Sequence, residues 1–197
     1  KVTNNPTDAA SALQLCSYYL QNKQDPQFQA EVKRILADRK SYPNGDFELG
    51  QFYAKRKQYQ EASELFETGL KTNPGEKRRY QREILAVLLA QDKKAEALAE
   101  AENIFKADPQ NVDALYIKAN LNFAKSRKED LKGIAADFQR AIELNPTEPL
   151  YRFKLGQVMI FQGDVAGAKN QFLESSKLQA SYLAPRLALA EIEFGAK

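Results

Sequence analysis

Two stretches of this 197-residue chain, 106 positions apart, carry the same kinds of side chain at the same intervals. Leu49, Gly50, Tyr53, Ala62, Phe66 and Pro74 stand at offsets 0, 1, 4, 13, 17 and 25, and Leu155, Gly156, Met159, Ala168, Phe172 and Ala180 repeat those offsets without a gap. Three Pro-containing steps, Asn73-Pro74, Asp108-Pro109 and Asn145-Pro146, follow one another at spacings of 35 and 37, each ending one amphipathic run and preceding the next. A period near 34 constrains the fold more than any other feature, because a unit this short cannot bury its apolar face without its neighbours. Leu49 and Tyr53 lie one helical turn apart on one face, as do Ala62 and Phe66 on the following helix. The small residues Gly50 and Ala62 let the two helices approach, and the larger ones beside them fill the remaining space.

Extending the period gives units near 9–42, 43–77, 78–111, 112–148, 149–182 and an incomplete 183–197. The third unit departs from the pattern at Leu85, where a small residue is expected. The fourth carries a three-residue extension around Lys125 to Asp130, where Ser126 and Glu129 predict a capping box. The first keeps Leu15, Cys16 and Tyr19 but has Phe28 where Ala belongs, with Asp25-Pro26 predicted as cap and first helical position. The pattern predicts eleven helices, over 7–22, 26–41, 46–56, 59–72, 76–91, 94–107, 111–124, 127–144, 148–161, 165–178 and 181–194, and no segment with the period of a strand competes with them.

Catalysis finds few carriers in this sequence. Histidine is absent, which removes His triads, His general bases and His metal ligands together. The single cysteine, Cys16, falls at a small-residue place between paired helices and is expected to be a buried, inert apolar group. Gly163 and Gly167 flank Asp164 at a helix–helix turn and form no phosphate-cradling loop. Glu100/Glu102 and Glu191/Glu193 are two apart on helices, so neither pair shares a face. Together these features predict no enzyme activity, no metal and no cofactor. Lys and Arg number 29 against 26 Asp and Glu, too even a balance for a nucleic-acid footprint. Basic clusters at Lys55-Arg56-Lys57 and at Lys125, Arg127 and Lys128 fall at turns, whereas Arg79 and Arg82 share a helical face and are the best placed for an anionic group. No apolar stretch is long enough to span a membrane.

The offsets Leu-Gly, Tyr, Ala, Phe and Pro closely resemble the tetratricopeptide repeat. The resemblance implies an all-α solenoid of helix-turn-helix units forming one array wound as a right-handed superhelix. It further implies a non-catalytic scaffold whose concave groove, lined by the first helix of each unit, binds a peptide or helix of a partner protein. The family's groove places are the second, fifth, ninth and twelfth of each unit. They fall on Phe47, Gln51 and Ala54; on Arg79, Arg82, Ala86 and Leu89; on Tyr116, Asn120 and Phe123; on Phe153, Gln157 and Ile160; and on Leu187, Glu191 and Phe194. Aromatics recur at the fifth place and amides at the ninth, a combination suited to apolar contact and to hydrogen bonding with a peptide backbone. The Lys-Asn clamp with which one subclass grips chaperone tails is absent, since Tyr116, Phe47 and Phe153 precede the amides. Two rival functions are a self-assembling array, with association through the apolar last helix, and an RNA-binding helical repeat.

The phrase from Ala184 to Glu191 resembles bacterial tetratricopeptide proteins, which leaves cytoplasm and bacterial envelope both open. A start at Lys1 without Met implies an excised or processed segment, and the apolar residues Leu187, Leu189, Ile192 and Phe194 imply the first helix of a sixth unit in a longer array.

Overall fold

The computed structural model describes residues 9–126 and 128–195. Among them lie eleven α-helices: α1 (Ala9–Gln21), α2 (Asp25–Ala37), α3 (Gly45–Lys55), α4 (Tyr59–Thr72), α5 (Lys77–Ala90), α6 (Lys94–Ala107), α7 (Val112–Lys125), α8 (Leu131–Leu144), α9 (Pro149–Gln162), α10 (Val165–Leu178) and α11 (Leu183–Gly195). The described residues contain no strand. Short 3-10 turns over Pro74–Glu76 and Lys128–Asp130 precede α5 and α8. The chain gathers into two compact units, Lys1–Asp92 and Lys93–Lys197.

One backbone device recurs at the period of the sequence. Lys23, Lys57, Asp92 and Gly163 all hold positive φ (56°, 62°, 57° and 85°), and each is the fifteenth residue of its repeat. After α1, α3 and α9 the following N–H reaches back five residues, from Gln24 to the Tyr19 carbonyl (2.8 Å), from Gln58 to Tyr53 (3.0 Å) and from Asp164 to Met159 (2.9 Å). This left-handed closure satisfies carbonyls that the helix end leaves unpaired and reverses the chain for the second helix of each pair. Helix starts are held by side chains at Asn111, which accepts from the Ala114 N–H (3.1 Å), and at Asp164, which accepts from Gly167 (2.8 Å).

The first unit packs aromatic rings against glycine. A Cβ on Gly50 would collide with the Phe66 ring, and one on Gly69 with the Tyr80 ring. Phe47 lies between those rings, 5.9 Å from Phe66 and 5.6 Å from Tyr80. Phe28 fills the place expected for Ala and packs on Phe52 and Tyr53, both at 6.1 Å. Buried charges here are paired: Asp46 accepts from Arg39 Nη1 (2.7 Å), and Glu31 receives Arg34 through two bonds (2.5 and 2.9 Å). In the second unit the Gly–Phe packing returns at Gly156 and Phe172, and Leu115, Phe138, Leu155 and Val158 form the interior. The Ser175 hydroxyl donates to the Pro149 carbonyl at 2.7 Å and ties α10 to the start of α9.

Three local expectations are corrected. The helix expected over 26–41 ends at Ala37, because the Asp38 carboxylate accepts the Ser41 N–H (3.0 Å) and folds 38–42 into a turn. Asp25 is the first residue of α2, not its cap; Gln24 precedes it. Ser126 makes no capping box: its hydroxyl donates to the Phe123 carbonyl (2.8 Å) and closes α7, so the helix expected from 127 begins at Leu131. Arg127 and the first two residues of the helix expected over 7–22 lie outside the described residues.

Candidate functional site

Counting places from residues 9, 43, 149 and 183, successive first helices of the repeats border a hollow in each unit. In the first unit Ala10, Leu13, Gln14 and Ser17 on α1 face Glu48, Gln51, Phe52 and Lys55 on α3 around a volume of about 270 Å³. In the second, Gln157, Ile160 and Phe161 on α9 face Ala188, Glu191 and Ile192 on α11 around about 320 Å³, with the Phe172 ring of α10 also lining it. In both, the sixth, ninth and tenth places of the later helix form one wall. The earlier walls differ in place: Ala10, Leu13, Gln14 and Ser17 stand second, fifth, sixth and ninth, whereas Gln157, Ile160 and Phe161 stand ninth, twelfth and thirteenth.

The two helices that wall the second seat, α9 and α11, carry exposed apolar side chains. Ile160 is 36 % exposed, Phe161 66 %, Leu187 62 % and Phe194 75 %. Leu187, Glu191 and Phe194 share one face of α11 by their spacing of four and three residues. Phe161 also meets Phe123 of α7 edge-on at 5.4 Å, so aromatic surface continues from α9 to α7.

Toward the start of these helices lies a cluster of phenols. Tyr116 on α7 sits 5.3 Å from Tyr151 on α9 and 6.2 Å from Phe138. Phe153 on α9 lies 5.5 Å from Tyr182 and 5.6 Å from Phe172. Burial, reinforced by the Tyr182 phenol and the Glu148 carboxylate, pushes the Tyr116 hydroxyl up to about 12. Tyr151 is pushed to about 12 by burial and then by Asp113, Glu148 and Tyr116. These hydroxyls stay protonated across the physiological range and remain hydrogen-bond donors. Glu148 itself caps α9, accepting from the Leu150 N–H at 3.2 Å. Burial lowers the affinity of half-buried Lys154 for its proton.

The residues singled out in the sequence divide between face and interior. Phe47 is 3 % exposed and belongs to the core, which corrects its assignment to a groove. Its outer side is covered by the Arg79 guanidinium, 3.5 Å from the ring centroid and 3.6 Å from Glu76. Arg82 is exposed and lies 3.8 Å from Glu83, so the two arginines turn to different partners and do not converge as an anion site. Gln51 lines its seat and donates to Glu83 (3.2 Å). Tyr116, Asn120, Phe123, Phe153 and Gln157 are half-buried, and Ile160 is exposed, all on α7 and α9. Phe161, at the thirteenth place, lies outside the four groove places of the repeat, and its direct succession to Ile160 is the sequence signal that points to it.

A larger polar hollow of about 680 Å³ opens between α7 and α8 beside the three-residue extension. There Lys118 stands where Leu49 and Leu155 stand in the better-matching repeats, and its ammonium pairs with Asp137 at 2.7 Å. Cys16 is fully buried, and burial, with the Glu31 carboxylate nearby, pushes its thiol up to about 11. No group of three His, Cys, Asp or Glu residues positioned to hold a metal occurs among the described residues, and no described helix is long and apolar enough to cross a membrane.

The tetratricopeptide repeat family model matches residues 86–130. No curated protein matches the chain by sequence. Among solved structures the fold is similar to YrrB, described as a tetratricopeptide-repeat protein with an unusual peptide-binding site (TM-score 0.59, 15 % identity, 95 % of this chain and 94 % of that one). It is similar to residues 41 to the end of MamA from Desulfovibrio magneticus RS-1 (TM-score 0.55, 22 % identity, 87 % and 97 %). It is also similar to yeast Tom70 (TM-score 0.71, 15 % identity), where it covers 99 % of this chain and 41 % of that one. The tetratricopeptide-repeat model is thus matched over 86–130, and along the rest of the chain it is the fold that is shared with these structures.

Proposed function

We propose that the chain is a non-catalytic scaffold that binds a peptide or helix of a partner protein on the face formed by α7, α9 and α11. One observation carries this reading: exposed Ile160 and Phe161 line an indented seat that also presents the Gln157 amide, and exposed Leu187 and Phe194 stand on α11, the helix of its other wall. Clustered apolar side chains around a concavity mark interaction surfaces, whereas singly scattered ones do not. Tyr116, Asn120, Phe123 and Phe153 extend the same face, and its amides and phenols can hydrogen-bond a peptide backbone. A peptide-binding relative of the same fold, YrrB, agrees with this reading.

The test is selection of peptides from a displayed random dodecapeptide library on the whole chain, followed by titration of the selected peptides. Ile160→Ala and Phe161→Ala should each weaken binding by roughly 1–3 kcal/mol, because a few central apolar anchors dominate interfaces. Their unfolding midpoints should stay near the parent's, since both side chains are exposed. Unchanged affinity in both variants would overturn the proposal. The exposure of α11 favours a second reading, self-association through Leu187 and Phe194. Light scattering across a dilution series separates the two, because self-association alone depends on chain concentration without ligand.

A further inference from the structure

Glu191 lines the α9–α11 seat together with Ile160 and Phe161. Leu187 and Phe194 flank it along α11, and Ile160 and Phe161 face it across the seat from α9. Its carboxylate enters no hydrogen bond or ion pair among the described residues, and it is the only ionisable side chain described in the lining of that seat. The neighbouring charges of α11 do not share its side of the helix. Arg186 is five residues away and Glu193 two, which turns each well over 90° from Glu191. The hollow between α1 and α3 differs: Glu48 and Lys55, on the same helix, give it both signs of charge. Glu191 is exposed, so it offers an arriving charge the salt-screened field of a surface carboxylate. It favours a cation through a charge-assisted hydrogen bond and repels a carboxylate brought to the same spot.

We infer that the α9–α11 seat selects a basic amphipathic segment: an apolar side chain entering between Ile160 and Ala188, with a Lys or Arg close by in the same segment paired to Glu191. This inference rests on the reading of the face as a docking surface and adds to it the charge of the partner. It concerns the second unit alone, because the seat of the first unit offers no net charge to select by.

The dodecapeptide library is panned in parallel on the whole parent chain, on Glu191→Lys, on Glu191→Gln and on the double variant Ile160→Ala/Phe161→Ala, with circular dichroism confirming that each remains helical. The expected result is enrichment of Lys or Arg next to Leu, Ile or Phe on the parent chain. That enrichment should be lost on Glu191→Lys, and the parent-selected peptides should bind at least about tenfold more weakly to Glu191→Lys and severalfold more weakly to Glu191→Gln. Their affinity for the parent should fall as salt is raised, since an exposed pair is screened. Peptides that need Ile160 and Phe161 but show no basic preference, or bind Glu191→Lys equally well, overturn the charge inference while the docking surface stands. Absence of enrichment, or peptides indifferent to the Ile160→Ala/Phe161→Ala change, overturns the docking surface and the inference with it.

Discussion

The fifth place of the repeat holds Phe47 in the first unit and Phe153 in the second, yet the two rings do different work. Phe47 is sealed beneath Arg79 and wedged between Phe66 and Tyr80, whereas Phe153 remains half-buried with Tyr182 against its edge. The difference extends inward. The first unit closes its core with buried charges, Asp46 on Arg39 and Glu31 on Arg34, while the second relies on phenols and on the Ser175–Pro149 hydrogen bond. At the left-handed turn the first unit places Lys23, Lys57 and Asp92, and the second places Gly163. A place in the repeat therefore sets where a side chain starts; the elements packed beside it decide whether it ends sealed in the core or half-buried at the surface.

The largest expected effect follows from the two phenylalanines. Phe47→Ala should cost about 3–5 kcal/mol in chemical denaturation, the range for emptying a buried aromatic site. Phe153→Ala should cost about 1–2 kcal/mol, since part of that ring is already in water and less apolar area is lost. Equal losses would erase the contrast between core and face. Next, Arg39→Ala should destabilise by about 1–3 kcal/mol, because it leaves Asp46 buried without its cation; half of the Arg39 side chain is exposed, which moderates the cost. An Arg39→Ala protein as stable as its parent would show that buried charge does not set the first unit apart.

The alkaline limb sharpens the comparison. Tyr116 and Tyr151 hold their protons to about 12 in the folded chain against the ordinary phenol value of 10.0, so the folded state binds more protons between these values. Stability contributed by these groups is complete below pH 10 and is lost as pH rises through 12. Replacing both with Phe should flatten that decline in urea melts between pH 9.5 and about 11.5, and should remove the latest-titrating component of the tyrosinate absorbance. An unaltered titration curve would mean that these hydroxyls are not held as described. The smallest effect is at the turns. Lys57→Gly should stabilise by about 0.5–1 kcal/mol, since Gly adopts positive φ without steric penalty, and Gly163→Lys should cost a similar amount. A loss of stability in Lys57→Gly would mean that the lysine side chain contributes more than its backbone strain.

Much of the fold could be read from spacing. Leu49, Gly50, Ala62 and Phe66, with their copies at Leu155, Gly156, Ala168 and Phe172, mark where helices touch, and contact between adjacent helices is a local property. Ends were harder, because Asp38 and Ser126 stop or close helices through single hydrogen bonds that the apolar pattern does not register. The burial of Phe47 was out of reach for a different reason: Arg79 and Tyr80, which enclose it, come from another helix more than 30 positions later. The exposure of Ile160 follows from helix phase alone, while Phe161 stands one place beyond the pattern and Tyr151 and Tyr182 join the phenol cluster through tertiary packing.

The concealed thiol of Cys16 has a practical consequence. A sulfur with no exposed surface, ionising only near 11, presents almost no thiolate to a maleimide at neutral pH. Any cysteine introduced on an exposed helix face would then be the one that takes a fluorophore or spin label. The chain carries its own silent background for site-directed spectroscopy, and a probe at position 194 or 187 would report on α11 without first removing the native sulfur.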